Sequence, residues 1–251
     1  MQIKRVTAPT LTIHRNPSTD AEATSECLYG ERLKVIEDHN QWCRILCEHD
    51  GYEGYVQTAY TENIDKQRRA THWVQVRSTL LFKDASIKSP VLLRIPFQSQ
   101  LSIAEPSDSP FSRTSCGHYL WREHLLPSGV PHKLEPLPLA RSHFLSSPYL
   151  WGGRSTAGLD CSGLIQALAR ARGLSIPRDS HEQENAIEPQ IELSERRPMD
   201  LVFWPGHVGI LLTADELLHA TAHHLGCIVE PLENVVQRAG TISSVRRLFA
   251  D

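Results

Sequence analysis

Polar and apolar positions in the first sixty residues alternate in short bursts. LTIHR, CLYGERLKVIE, WCRILCE and GYEGYV are each brief, rich in β-branched and aromatic residues, and set apart by Gly, Asn or Asp, with a polar stretch NPSTDAEATSE after the first. Such runs predict a small antiparallel barrel from about Leu11 to Glu62, with no room for a helix. From about His72 to Leu126 the texture recurs more weakly in WVQVRS, VLLRIPFQSQLSIAE and CGHYLWREHLL. Laying Val76 over Ile13 and Leu101 over Leu33 gives offsets of 63 and 68 residues, so a degenerate second copy of the barrel is expected.

Between Pro127 and Pro148 five prolines interrupt the chain, and the stretch reads as a linker with at most a short helix around Leu139 to Leu145. The period then changes. SGLIQALARARG sets Leu164, Ile165, Leu168 and Ala169 on one helical face and stops at Gly173. DLVFWPGHVGILLT and ELLHATA read as two or three consecutive strands, broken at Pro205-Gly206 and from Thr213 to Asp215, with VRRLF as a further strand. A helix followed by antiparallel strands is an α+β order.

Composition narrows the partners. The 251 residues carry a net charge of -3, with 40% hydrophobic and 22% charged positions, which allows one large domain or two to three small ones. There is no basic footprint for nucleic acid and no apolar run of membrane-spanning length, so neither is an expected partner. MQIKRVTAPTL lacks the apolar core of a secretory signal, and the six scattered cysteines fit reduced thiols better than a disulfide framework; a cytoplasmic location is expected. Cys43, Ile45 and Cys47 would point the same way from a strand and read as core. His181-Glu182 is not followed by a second histidine at zinc-protease spacing, and Gly152-Gly153 has neither phosphate-loop nor dinucleotide spacing. No cofactor and no metal are expected, and the oligomeric state is left open.

The pentapeptide LDCSG carries the sharpest chemical signal. Cys161 begins the helix just described, where a thiolate is favoured, Asp160 and Ser162 are residue types of helix starts, and Ser162 and Gly163 are small enough to leave a thiol open. Read alone, the five residues fit a buried structural cysteine equally well. A nucleophile needs a base and a group that orients the base. His207 heads the strand GHVGI and His219 lies twelve residues on, in LLHATA; adjacent antiparallel strands would set the two imidazoles side by side, the second fixing the tautomer of the first without adding a buried charge.

PYLWGG (Pro148 to Gly153), GLDCSG (Gly158 to Gly163), PRDS (Pro177 to Ser180), DLVFW and GHVGI together resemble the NlpC family of papain-like bacterial cell-wall cysteine peptidases, over about residues 140–250. LYGERLKVIE and GYEGYV resemble bacterial SH3-type domains. The resemblance implies an α+β chain in which a papain-like NlpC domain (128–251) follows two small all-β SH3-like barrels (1–66 and 67–127). That architecture is similar to the γ-D-glutamyl-L-diamino acid endopeptidases (dipeptidyl-peptidase VI) that recycle murein peptides. It implies Cys161 as nucleophile, His207 as general base, His219 as orienting residue, and Tyr149 with the Cys161 backbone N–H as oxyanion donors.

The same resemblance places Trp151 and Ser162 against the substrate and Asp179 and Ser180 on its free amino terminus, where an ammonium needs a counter-charge. Glu31 and Tyr60 of the first barrel would complete the pocket, with Tyr52 or Tyr55 as alternatives to Tyr60. The implied partner is a murein-derived peptide of the L-Ala-γ-D-Glu-diaminopimelate type. Two positions depart from the family pattern: Met199 replaces a glycine before Asp200, and the second barrel has lost most of its turn glycines. An amidase or acyltransferase on the same frame, or a non-catalytic murein tether, also remains open. A thiol near its ordinary pKa would favour the tether and a depressed one the enzyme.

Overall fold

The computed structural model describes residues 2–104 and 109–249. Two compact units divide the chain, Met1–His132 and Lys133–Asp251. Among the described residues no helix is long and apolar enough to cross a membrane.

The first unit is built of strands without an α-helix among its described residues. β1 (Ile3–Val6), β2 (Thr10–His14), β3 (Ala23–Leu28), β4 (Arg32–His39), β5 (Trp42–Cys47), β6 (Glu53–Gln57) and β7 (Thr61–Asn63) form an antiparallel sheet in the order β3-β2-β6-β5-β4-β1-β7. Alternation along these strands turns Leu11, Ile13, Cys43, Ile45 and Cys47 into one core with Val6, Cys27, Leu33 and Val56. The cysteines at 43 and 47 are thus core residues, and none of the six is in a disulfide.

The next seven strands are β8 (His72–Val74), β9 (Ser78–Phe82), β10 (Val91–Pro96), β11 (Gln100–Leu101), β12 (Phe111–Arg113), β13 (Tyr119–Trp121) and β14 (Leu125–Pro127). They make two small sheets, β10-β9-β13-β12 and β11-β8-β14. The second barrel repeats the first at a single offset of 68. Val6 N donates to Glu31 O at 3.0 Å and Gly30 N to Val6 O at 2.9 Å; Val74 N donates to Ser99 O at 2.9 Å and Gln98 N to Val74 O at 2.8 Å. Core positions follow the same shift, Val6 to Val74, Ile13 to Leu81, Cys27 to Ile95 and Leu33 to Leu101. Ile13 therefore corresponds to Leu81 and not to Val76, because the strand matching LTIH is STLLF. The lost turn glycine explains itself too: Gly30 has φ +79, and Gln98 takes the same left-handed conformation at φ +65, which costs a side chain about 1–2 kcal/mol.

The second unit opens where a linker was expected. α1 (Pro136–Leu139) continues into a wider helical turn through Phe144, and Leu139, Ala140 and Phe144 are at most 1% exposed. Proline at the first helical position is compatible with a helix because its missing N–H has no intrahelical partner there, so the proline-rich stretch is in part a packed element. The short pair β15 (Arg154–Ser155) and β16 (Gly158–Leu159) leads into α2 (Cys161–Ala171), followed by α3 (Ser180–Ala186). A six-stranded antiparallel sheet completes the unit: β17 (Gln190–Ile191), β18 (Leu201–Trp204), β19 (His207–Leu211), β20 (Glu216–Thr221), β21 (Gly226–Pro231) and β22 (Ser244–Arg246), in the order β17-β22-β18-β19-β20-β21. α4 (Leu232–Ala239) packs Leu232 and Val235 with Val202, Trp204, Leu211 and Leu217 of the sheet. Met199, where the resembled family has glycine, sits at φ +74; the glycine preference there is conformational.

Candidate active site

Cys161, His207 and His219, expected as nucleophile, base and orienting residue, are placed by three separate elements, α2, β19 and β20. α2 begins at Cys161 because Asp160 caps it: Asp160 Oδ1 accepts from Gly163 N at 2.7 Å, and Oδ2 accepts from Gly152 N at 2.9 Å. Arg178 locks that carboxylate from both sides, Nη1 at 3.0 Å from Oδ1 and Nη2 at 2.7 Å from Oδ2, and donates to Ser162 Oγ at 2.8 Å. Ser162, expected against the substrate, is buried with its hydroxyl spent on Asp160 and Arg178; it braces the start of the helix. Gly163 was expected to keep the thiol open, but its reason is backbone contact: a Cβ there would lie 2.4 Å from Gly153 O.

The Cys161 sulfur lies against the backbone on either side of His207. It accepts a hydrogen bond from the Val208 N–H and sits 4.0 Å from Gly206 O. His207 heads β19 directly after the two-residue Pro205-Gly206 turn, whose Gly206 has φ +73, the value a type II turn requires at its third residue. Across the sheet Leu211 pairs with Leu217, and Leu217 with Glu230. Because paired residues share a face and every second residue returns to it, His207, His219 and Glu230 all project from one face. His207 Nε2 is 2.7 Å from His219 Nδ1, and His219 Nε2 is 2.8 Å from Glu230 Oε1.

Burial dominates the titration of this group. It pushes the Cys161 thiol up to about 12, with Asp160 adding to the effect and the N–H groups of Val208 and Ser162 opposing it. Neither the ordinary nor the depressed thiol considered from the sequence is met, because desolvation of a residue 7% exposed outweighs the helix start. Burial also lowers His207 to about 4, reinforced by His219 and Arg238, and holds His219 below the usual histidine value despite Glu230. At neutral pH the Cys161 thiol is therefore protonated and the His207 imidazole neutral.

Tyr149 is brought beside Cys161 by a parallel bridge to Leu159 and by Leu150 N donating to Leu159 O at 3.1 Å. Burial raises its hydroxyl to about 12, with Cys161 and Asp160 adding to the shift, so it remains a hydrogen-bond donor. Trp151 is 60% exposed, an indole facing solvent. Asp179 is the N-cap of α3, yet its side chain makes no capping hydrogen bond, and burial raises its carboxyl against the pull of Arg178. Ser180 is the first residue of that helix and half-buried.

In the first unit, Glu31 is buried and accepts from Leu28 N at 2.9 Å, and Tyr60 is 48% exposed at the end of a short helical turn. The alternatives Tyr52 and Tyr55 lie just before β6 and within it, both partly buried. Among the described residues one donor group is compact enough for an ion, Cys47, His49 and Asp50, with ligand atoms within 4.8 Å of one another; it is in the first barrel.

Glu230, Arg238 and Arg178 are the participants that sequence reasoning missed. Arg178 lay inside the quoted PRDS, where attention fell on its neighbours. Glu230 and Arg238 had no signal short of the register of a hairpin whose second strand was not predicted.

A model of the NlpC/P60 family matches residues 146–246, which span α2, β18 to β22 and all three aligned groups. The chain belongs to the NlpC/P60 family of peptidases. A model described as the bacterial dipeptidyl-peptidase Sh3 domain matches residues 13–59. The chain is 26% identical over 228 residues to dipeptidyl-peptidase 6 of Lysinibacillus sphaericus, covering 83% of this chain and 84% of that one. It is 23% identical over 253 residues to the γ-D-glutamyl-L-lysine dipeptidyl-peptidase of Bacillus subtilis, covering 93% and 83% respectively. In fold it is similar to the crystal structure of an NlpC/P60 family protein from Bacillus cereus, with a TM-score of 0.84, 17% identity, and coverage of 99% of this chain and 100% of that one.

Proposed function

We propose that this peptidase hydrolyses the bond between γ-D-glutamate and a diamino acid in murein peptides that carry a free N-terminal L-Ala, as part of cell-wall peptide recycling. The observation that carries the reading is the 2.7 Å hydrogen bond between His207 and His219, beside a thiol resting on the backbone of residues 206 and 208. The names of the relatives support the γ-D-glutamyl specificity.

His207 takes the thiol proton as Cys161 attacks the γ-carbonyl carbon, and the oxyanion is met by Tyr149 O–H and the Cys161 backbone N–H. The tetrahedral intermediate collapses, His207 returns the proton to the leaving amine, and L-Ala-D-Glu remains as a thioester. Water, deprotonated by His207, releases it. Asp179 receives the substrate's ammonium: its carboxyl does not cap its own helix, and burial raises it against the pull of Arg178, so a cation in contact offsets that desolvation. The proposed site of action is the cytoplasm.

The test is mass spectrometry of products from L-Ala-γ-D-Glu-diaminopimelate and from its N-acetylated form. The wild type should release L-Ala-D-Glu from the free amine only, Cys161→Ala neither, and Asp179→Asn should raise KM at least about tenfold, the loss of one charge-assisted contact. Equal cleavage of the acetylated peptide would refute the ammonium site, and activity in Cys161→Ala would refute the nucleophile.

A further inference from the structure

The hairpin beyond His219 supplies a group that the reaction scheme above does not use. Glu230 is 9% exposed, and Arg238 from α4 holds both its oxygens, Nη2 at 2.5 Å from Oε1 and Nη1 at 3.2 Å from Oε2. An ionised carboxylate only accepts, so His219 must carry its proton on Nε2, 2.8 Å from Glu230 Oε1. Its Nδ1 is then a lone pair, and the nitrogen 2.7 Å away, His207 Nε2, must be the donor. One ring nitrogen of His207 is left without a proton, Nδ1.

We propose that Glu230, held by Arg238, is a positioning residue that sets the tautomers of both imidazoles, so that His207 Nδ1 is the bare nitrogen offered to the Cys161 thiol. The proposal rests on the thiol-imidazole reading above. Without the carboxylate His219 is free to donate from Nδ1; His207 would then accept at Nε2 and keep its proton on the nitrogen that has to receive one. Glu230 also acts through charge. The structure sets its own values accordingly: burial works to raise the Glu230 carboxyl, but Arg238 and His219 outweigh it and hold it below the ordinary range.

The other ionisable groups around this line are His224 of the β20–β21 turn, 3.8 Å from Glu230 Oε2, Arg238 of α4, and Cys161, Asp160, Tyr149 and Arg178 around the nucleophile. Among them Glu230 favours a proton on His207 and Arg238 opposes it. Removing each should therefore move the dyad in opposite directions, a pattern that a merely structural role does not produce.

The experiment measures the rate at which iodoacetamide alkylates Cys161 across pH, followed on the Cys161 peptide by mass spectrometry, beside kcat/KM on the murein peptide. Glu230→Gln should lower kcat/KM about 10–100-fold, by analogy with the loss of a hydrogen-bonded partner behind a metal-ligating histidine, leave KM nearly unchanged, and shift both limbs of the pH profiles to lower pH. Arg238→Met should shift both limbs to higher pH. Glu230→Asp, which keeps the charge, should recover part of the rate. Wild-type profiles in Glu230→Gln, or limbs that move the same way in Glu230→Gln and Arg238→Met, overturn the proposal. Because alkylation needs no substrate, opposed shifts in that assay with a wild type inactive on the peptide would sustain the role of Glu230 while removing the substrate assignment.

Discussion

Replacing Arg178 by Met tests how the helix that begins at Cys161 is anchored. Arg178 is 2% exposed and its guanidinium makes a two-pronged pair with Asp160 at 2.7 and 3.0 Å, with further bonds to Ser162 Oγ at 2.8 Å and Gly153 O at 3.4 Å. Methionine preserves much of the apolar stem, so the main loss is electrostatic: a carboxylate 7% exposed is left without its counter-charge. Breaking a buried pair in this way costs about 3–5 kcal/mol. The lower end applies, because Asp160 keeps the N–H groups of Gly152 and Gly163. About 3 kcal/mol lowers the melting temperature of a unit this size by roughly 10 °C. Thermal and urea unfolding of Arg178→Met, Asp160→Asn and the double variant would measure it. The double variant should be no worse than the weaker single by more than about 1 kcal/mol, since neither charge is then stranded. A loss below 1 kcal/mol in Arg178→Met, or additive losses, would refute the anchoring argument.

Gly163→Ala should destabilise by about 1–3 kcal/mol and slow turnover, because the added Cβ would sit 2.4 Å from Gly153 O and 3.0 Å from Asp160 Oδ1; an unchanged melting temperature contradicts the close approach. Met199→Gly should be neutral to stabilising by about 1 kcal/mol, the left-handed strain relieved less the entropy of glycine, and a loss above 1 kcal/mol in urea unfolding would show that the Met199 side chain matters more than its φ. Stability should also depend on pH with a definite sign. His207 falls to about 4 in the fold from about 6.5 unfolded, so below 6.5 the unfolded chain binds the extra proton and stability drops as pH falls. The drop approaches roughly 3 kcal/mol by pH 4, at about 1.4 kcal/mol per unit, and His207→Gln should flatten that segment of the curve.

Much of the sheet was legible because alternation and turn residues state it locally: Pro205-Gly206 and Thr213 to Asp215 end strands where the sequence indicates. The helix at Cys161 was legible for the same reason, its cap and its stop both lying within the run. Elements that depend on partners were not. β21 and α4 have no turn or cap signal of their own that was read, and Leu232 and Val235 gain their meaning only against Leu211 and Leu217. Missing that hairpin concealed Glu230, so the imidazole pair was expected to stand without a buried charge when a carboxylate and an arginine stand behind it. The offset of 68 between the barrels was half visible, since Leu33 and Leu101 obey it while Val76 shares only the hydrophobic character of Ile13.

The proposed reaction turns on one sulfur, that of Cys161. The most direct measurement follows release of L-Ala-D-Glu while iodoacetamide modifies the enzyme, with occupancy of Cys161 read by peptide mass spectrometry at each time. The rate should fall in proportion to the modified fraction and reach zero with it, and excess substrate should protect both. Full carboxamidomethylation of Cys161 with the rate undiminished would contradict the account.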